Sequence, residues 1–165
     1  MMKISWLLII SLVLGSVLAG CSSPQEEGGQ QDSEESQTEH VHGDIREETA
    51  SQDTLPAFME EKPEEMQTLY KAVAQNKDLL ENIPCYCGCG ESVGHRDNYD
   101  CFVHENKKDG SIVWDDHGTK CGVCLEIAAQ SIIDYQEGKS IEQIRSDIDS
   151  SYENGYGEPT PTPAL

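Results

Sequence analysis

Six of the seven cysteines of this 165-residue chain lie between Cys85 and Cys124. Three alternate in Pro84-Cys85-Tyr86-Cys87-Gly88-Cys89-Gly90, Cys101 follows, and Cys121-Gly122-Val123-Cys124 closes the set. Thiolates at such spacing suit a soft or borderline metal ion, zinc or copper(I), because C-x-C and C-x-x-C segments bring two sulfurs onto one ion across a short loop. The candidate ligands are therefore Cys85, Cys87, Cys89, Cys101, Cys121 and Cys124, with His95 and His117 as borderline donors. In an extended strand, residues two apart stand about 6.6 Å from each other. Zinc–sulfur bonds of about 2.3 Å require closer sulfurs, so the first segment must curl, which Gly88 and Gly90 permit.

Two other chemistries compete. An even number of cysteines in a small extracytoplasmic domain can form a disulfide framework, although C-x-C-x-C is a strained and crowded arrangement for bridges. A C-x-x-C at a helix start, Cys121 and Cys124, is also the arrangement of thiol redox proteins, since the helix dipole lowers thiol pKa there. No βαβ pattern precedes this one. There is no nucleophile-elbow or phosphate-loop motif, so a binding module is expected rather than an enzyme.

The elements that must carry these residues are legible in outline. Pro63, Glu64 and Glu65 suit a first helical turn. Met66, Leu69, Tyr70, Val73, Ala74 and Leu80 continue at helical spacing, and Pro84 stops it. The cysteine run is thereby delivered in a loop after a helix. Cys101–Glu105 and Ser111–Asp115 are β-rich and flank a turn ending in Asp109-Gly110, which predicts a hairpin with His104 on its surface. A second helix is expected from about Thr119 or Lys120 to Glu137, with Cys121, Cys124, Leu125, Ala128, Ile132 and Tyr135 on one face. Ser140 and Gln143 form a capping box for a third, whose stripe is Ile141, Ile144, Ile148 and Tyr152. The fold expected is α+β and mostly helical: about three helices plus a short hairpin in a domain over 51–155, with a Pro-rich solvated tail over 156–165.

The start of the chain reads as an address. Lys3, an apolar run from Ile4 to Val17 and Leu18-Ala19-Gly20-Cys21 form a lipoprotein signal peptide over 1–20. Cys21 is then the acylated N-terminus, and its several acyl chains hold the protein stably on the outer face of the bacterial cell membrane. Residues 21–50 are polar and aperiodic, which predicts a disordered tether; His40 and His42 within it read as solvated. The formal net charge of −20 argues against nucleic acid and against an electrostatic grip on anionic lipid.

Two resemblances add to this. Lys120-Cys121-Gly122-Val123-Cys124, with Gly138-Lys139-Ser140, Ile144-Arg145 and Tyr156-Gly157, is similar to the C-x-x-C helical domain of the CcmH thiol reductases of cytochrome c maturation, departing where those have Arg-Cys-Pro-x-Cys. The run Pro84-Cys85-Tyr86-Cys87-Gly88-Cys89 resembles, far more specifically, the PCYCGC-motif lipoproteins of Gram-positive-type bacteria. The likeness extends through Gly94-His95, Asp100-Cys101-Phe102, Trp114-Asp115-Asp116-His117 and Cys121-Gly122-Val123-Cys124. It implies a surface lipoprotein with a cysteine-rich domain and no settled reaction, and it places His95 and His117 within the motif. The expectation is a lipid-anchored zinc- or copper(I)-binding domain, whose partners are the membrane and an envelope metal or redox protein. A CcmH-like redox protein using Cys121 and Cys124, or a disulfide-stabilised binding or structural module, is the alternative.

Overall fold

The computed structural model describes residues 38–41, 43–88 and 90–165. Strands β1 (Thr38–Val41), β2 (Asp44–Thr49), β3 (Val103–Asn106) and β4 (Ile112–Asp115) form one antiparallel sheet in the order β1-β2-β4-β3. The helices are α1 (Glu64–Gln75), α2 (Lys77–Leu80), α3 (Gly90–Val93), α4 (Gly122–Gln136) and α5 (Ile141–Tyr152), with 3-10 turns at Ala57–Met59, Tyr99–Cys101 and His117–Lys120. The α+β, mostly helical expectation holds. Among the described residues no helix is long and apolar enough to cross a membrane.

The core forms where α1 meets the sheet. Tyr70 is fully buried, stands edge-on to Phe102 at 5.0 Å between ring centroids, and donates its hydroxyl to the Asp115 carbonyl at 3.0 Å. Burial raises its pKa well above the ordinary value for tyrosine. Trp114 from β4 is fully buried beside it and donates its indole N–H to Thr49 Oγ1 at 2.8 Å. This satisfies the one polar atom of an otherwise apolar side chain. Helix α4 packs on α1, α2 and α5.

The expected elements appear with instructive differences. Pro63 caps α1, which breaks at Asn76 and resumes as α2, bringing Leu79 and Leu80 into the core. The second helix starts at Gly122, because a 3-10 turn occupies His117–Lys120. Its buried face is Cys124, Ile127, Ala128, Ser131 and Ile132, whereas Tyr135 is exposed. The capping box on α5 is present: Ser140 Oγ accepts from the Gln143 amide, and Gln143 Oε1 accepts from that of Ser140. The hairpin is present too, with a register shift at His104 that leaves its side chain exposed.

Two expectations are corrected. The tether over 21–50 does not hold beyond Thr38, because β1 and β2 pair Thr38 with Glu47 and Val41 with Asp44, and β2 pairs onward with β4. What β2 buries is Asp44 and Glu47 rather than an apolar stripe, each held by a polar partner; the Ala57 amide donates to Glu47 Oε1 at 2.7 Å. The solvated tail is also wrong for Gly157–Thr160. The Gly157 amide donates to the Tyr86 carbonyl, and the Thr160 amide donates to that of Cys85, both at 3.0 Å. The segment is a strap across the cysteine loop. Cys21, the signal peptide and His42 lie outside the described residues, as does Cys89.

Candidate metal centre

Three thiols from two distant parts of the chain meet beneath that strap. The sulfurs of Cys85, Cys87 and Cys124 all lie within 4.8 Å of one another, with Cys85 and Cys124 only 3.3 Å apart. Four sulfurs on a tetrahedral zinc ion would stand about 3.8 Å apart, from bonds of about 2.3 Å, a spacing compatible with separations of no more than 4.8 Å. Cys101 is fully buried, and its thiol faces those of Cys124 and Cys85. Cys121 is half-buried at the N-cap of α4, outside the trio. No disulfide joins Cys85, Cys87, Cys101, Cys121 and Cys124.

Local structure explains the convergence. Pro84 ends the α2 turn, and Gly88 at φ +76° reverses the chain in a conformation that a Cβ would strain. The strap closes against that reversal: a Cβ on Gly157 would lie 2.4 Å from Gly88 Cα. Thr160 Oγ1 accepts a hydrogen bond from the buried Cys85 amide at 2.9 Å, so both backbone groups of Cys85 are held by one residue. Tyr86 stacks on Tyr152 of α5 at 5.7 Å and donates to Asp149 at 2.7 Å. On the other side, buried Asn98 donates through its side chain to the Cys124 carbonyl at 3.2 Å and through its amide to the Ile83 carbonyl at 2.8 Å. It thus ties the start of the loop to the start of α4.

The thiols are electrostatically unequal. Bonds donated by Cys124 and Cys85 lower the Cys101 pKa to about 7 despite burial. Cys124 is driven strongly upward, first by its bond to Cys101 and then by those to Cys85 and Cys87. Packed thiols cannot all ionise unaided; a bound cation would remove that conflict. Cys87 is half-buried, and its pKa is lowered, first by Cys124 and in part by His117.

His117 faces Cys87 from the turn before α4. Its Nδ1 lies 3.1 Å from Asp44 Oδ2 on β2, while Nε2 has no conventional hydrogen-bond partner. Cys87 beside the ring, together with Asp44 behind it, raises its pKa to about 9 against the opposing effect of burial. A carboxylate behind a ligand histidine fixes tautomer and ring orientation. His95 sits edge-on to His117, ring centroids 4.7 Å apart, with both ring nitrogens buried and unpartnered. Burial lowers its pKa.

Asp44, Asp115 and Asp116 bring carboxylate oxygens within 4.8 Å of one another and are all buried. Cations already answer them: Lys120 reaches Asp44 at 3.1 Å and Asp116 at 2.8 Å, and Arg46 reaches Asp115 at 2.9 Å. This cluster buttresses His117 rather than competing with the thiols for a metal. A groove of about 620 Å³ between α1 and α4, lined by Met66, Leu69, Leu125 and Ile133, has none of these thiols or imidazoles on its walls.

Of the residues singled out in the sequence, Cys85, Cys87, Cys101, Cys124, His117 and His95 come together. Cys121 stands at the margin. Asp44, Asn98 and Thr160 were missed. The Asp115-Asp116-His117 run hinted that carboxylates surround the histidine, but no local signal marks the other three.

Among known proteins, neither a curated protein nor a solved structure matches the chain. The profile of one family, described as "Protein of unknown function with PCYCGC motif", matches residues 10–165. The match takes in the thiol loop, both histidines, the start of α4 and the strap, and on that coverage the chain belongs to the PCYCGC family.

Proposed function

We propose that this protein is a lipid-anchored extracytoplasmic lipoprotein whose domain binds a soft or borderline transition metal ion, zinc or copper(I), through Cys85, Cys87, Cys101 and Cys124. The observation that carries the reading is the meeting of the Cys85, Cys87 and Cys124 sulfurs within 4.8 Å, although 39 positions separate Cys85 from Cys124. His117, held by Asp44, adds a nitrogen donor at the half-buried edge of the group. Thiolates and imidazole together suit zinc and copper better than magnesium or calcium, which take oxygen. Cys21 is the anchor in this reading, and the acidic chain stands off the bilayer surface.

A second reading is favoured by the 3.3 Å approach of Cys85 and Cys124. An oxidant that accepts two electrons, with two protons released, would join them as a disulfide. In that case Cys124, backed by Cys121, does thiol–disulfide exchange. One experiment separates the two. The full chain is purified anaerobically in detergent without chelator, its metal is measured by mass spectrometry, and its free thiols are counted before and after reduction. Stoichiometric zinc or copper with thiols protected until chelation supports the metal reading. Metal-free protein lacking free thiols overturns it in favour of bridges. Loss of acyl labelling and of membrane association in Cys21→Ala tests the anchor, and persistence of both refutes it.

A further inference from the structure

The donors gathered beneath the strap exceed what one ion can use. The sulfurs of Cys85, Cys87 and Cys124 converge within 4.8 Å and the Cys101 thiol faces two of them, enough thiols for one tetrahedral site. Beside them stand both ring nitrogens of His95, buried and without hydrogen-bond partners, and the buried His117 Nε2, with the Cys87 thiol beside its ring. Buried polar side-chain atoms are nearly always satisfied, and a histidine 5 % exposed with neither nitrogen engaged calls for a ligand.

The two rings stand edge to face, close enough for both to reach one ion. Two imidazoles bound tetrahedrally, with metal–nitrogen bonds of about 2.0–2.1 Å, hold their ring centroids about 5 Å apart. Here the centroids are 4.7 Å apart and the planes cross at 87°. Asp44 takes His117 Nδ1, leaving Nε2 as the donor. The Asp115 carboxylate lies 4.0 Å from His95 Nε2 but is spent on Arg46 and on the His117 amide, each at 2.9 Å. It is placed to orient His95 without saturating it. Cys87 is the thiol that belongs to both groups, close to Cys85 and Cys124 on one side and to His117 on the other.

We infer that the centre is dinuclear: one ion in the thiolate group and a second held by Cys87, His117 and His95, with the Cys87 sulfur bridging. The inference rests on the metal-binding reading above. The ion class is soft to borderline, since thiolate and imidazole together admit copper and zinc and disfavour the oxygen-seeking cations.

The test uses the full chain in detergent, reduced and anaerobic, loaded separately with cadmium(II) and zinc(II), with native mass spectrometry for stoichiometry and cadmium NMR for donor type. The wild type should bind two ions per chain and give two resonances, one from a thiolate-only set and one from a mixed sulfur–nitrogen set. His95→Phe keeps an aromatic ring in the space and removes both nitrogens; it should bind one ion and keep only the thiolate resonance. One ion in the wild type, two thiolate-only resonances, or two ions retained in His95→Phe would overturn the dinuclear centre while leaving the metal reading intact. No ion in either loading would overturn both. Should His95→Phe not fold, the wild-type count and resonances decide.

Discussion

Thr160→Val tests whether the strap positions the thiols. The substitution keeps the shape of the side chain and removes one oxygen, the acceptor for the Cys85 amide at 2.9 Å. Cys85 is fully buried, so its N–H loses its partner with no access to water. An orphaned buried amide costs about 1–3 kcal/mol. In a domain of this size that is a fall of roughly 3–12 °C in Tm. The Thr160 amide still donates to the Cys85 carbonyl, so the strap stays in register and the loss is confined to one bond. If the bond fixes the loop ahead of metal binding, affinity for zinc falls by as much as about 5- to 150-fold, the same free energy expressed as a ratio. Thr160→Ser separates hydroxyl from methyl. It keeps the acceptor and gives up the Cγ2 methyl that packs over Gly90, where an added Cβ would meet it at 2.7 Å. Thermal unfolding of the reduced chain and competition with a zinc-binding dye are the assays. Valine should fall well below wild type and serine should stay close to it. Valine equal to wild type in both assays, or serine as damaging as valine, would refute a positioning role for this hydroxyl.

Three further outcomes are expected. Gly157→Ala pushes a methyl onto Gly88 backbone atoms, 2.4 Å from its Cα and 2.5 Å from its nitrogen, and should cost about 1–3 kcal/mol with a parallel loss of zinc affinity; urea unfolding that superimposes on wild type would contradict the close approach. Asp97 is buried, and burial first, then repulsion from Asp100, raises its pKa from an ordinary 3.8 to about 7. The folded state then holds a proton that the unfolded chain has released, so stability falls as pH rises from about 4 to 7, by no more than about 4 kcal/mol before solvent screening is discounted. Asp97→Asn should match wild type near pH 4 and exceed it at pH 8, and parallel profiles in urea across that range would count against the shift. Chelation of the loaded protein should leave helical circular dichroism nearly unchanged, because hydrogen bonds within the chain hold the thiol loop; collapse to a coil spectrum would show instead that the metal supplies the fold.

What could be read in the sequence followed from local rules. The helical faces around Tyr70 and Ile144 repeat at the helical period, and Ser140 with Gln143 announces the start of α5 within four residues. The β1–β2 hairpin escaped because the residues that β2 buries are Asp44 and Glu47, which lack the apolar alternation that marks a half-buried strand. They are tolerated inside only because His117, Lys120 and the Ala57 amide come from elsewhere in the chain to meet them. The strap escaped for a related reason. Pro159 to Pro163 has the composition of an extended solvated segment, and nothing near Thr160 reveals that its hydroxyl is matched to an amide 75 positions earlier.

The same division runs through the candidate centre and bears on what kind of centre it is. The donor atoms were visible because cysteine and histidine declare their chemistry by type. The residues that hold them, Asp44, Asn98 and Thr160, are ordinary polar residues whose roles exist only in three dimensions. In structural zinc sites the metal commonly supplies the folding energy, and the ligands are disordered without it. Here the supports are covalently part of the chain: Thr160 fixes Cys85, Asn98 fixes the carbonyl of Cys124, and Asp44 fixes His117. A site held this way does not have to be assembled by its ion. Cys85, Cys101 and Cys124 are fully buried while Cys87 is half-exposed, so an incoming thiol would meet Cys87 first and displace it from the ion while the buried sulfurs kept hold. In the metal-binding reading proposed above, ligand exchange of that kind would suit loading and release better than permanent structural binding, and the strap would keep the loop in shape while the ion is shared.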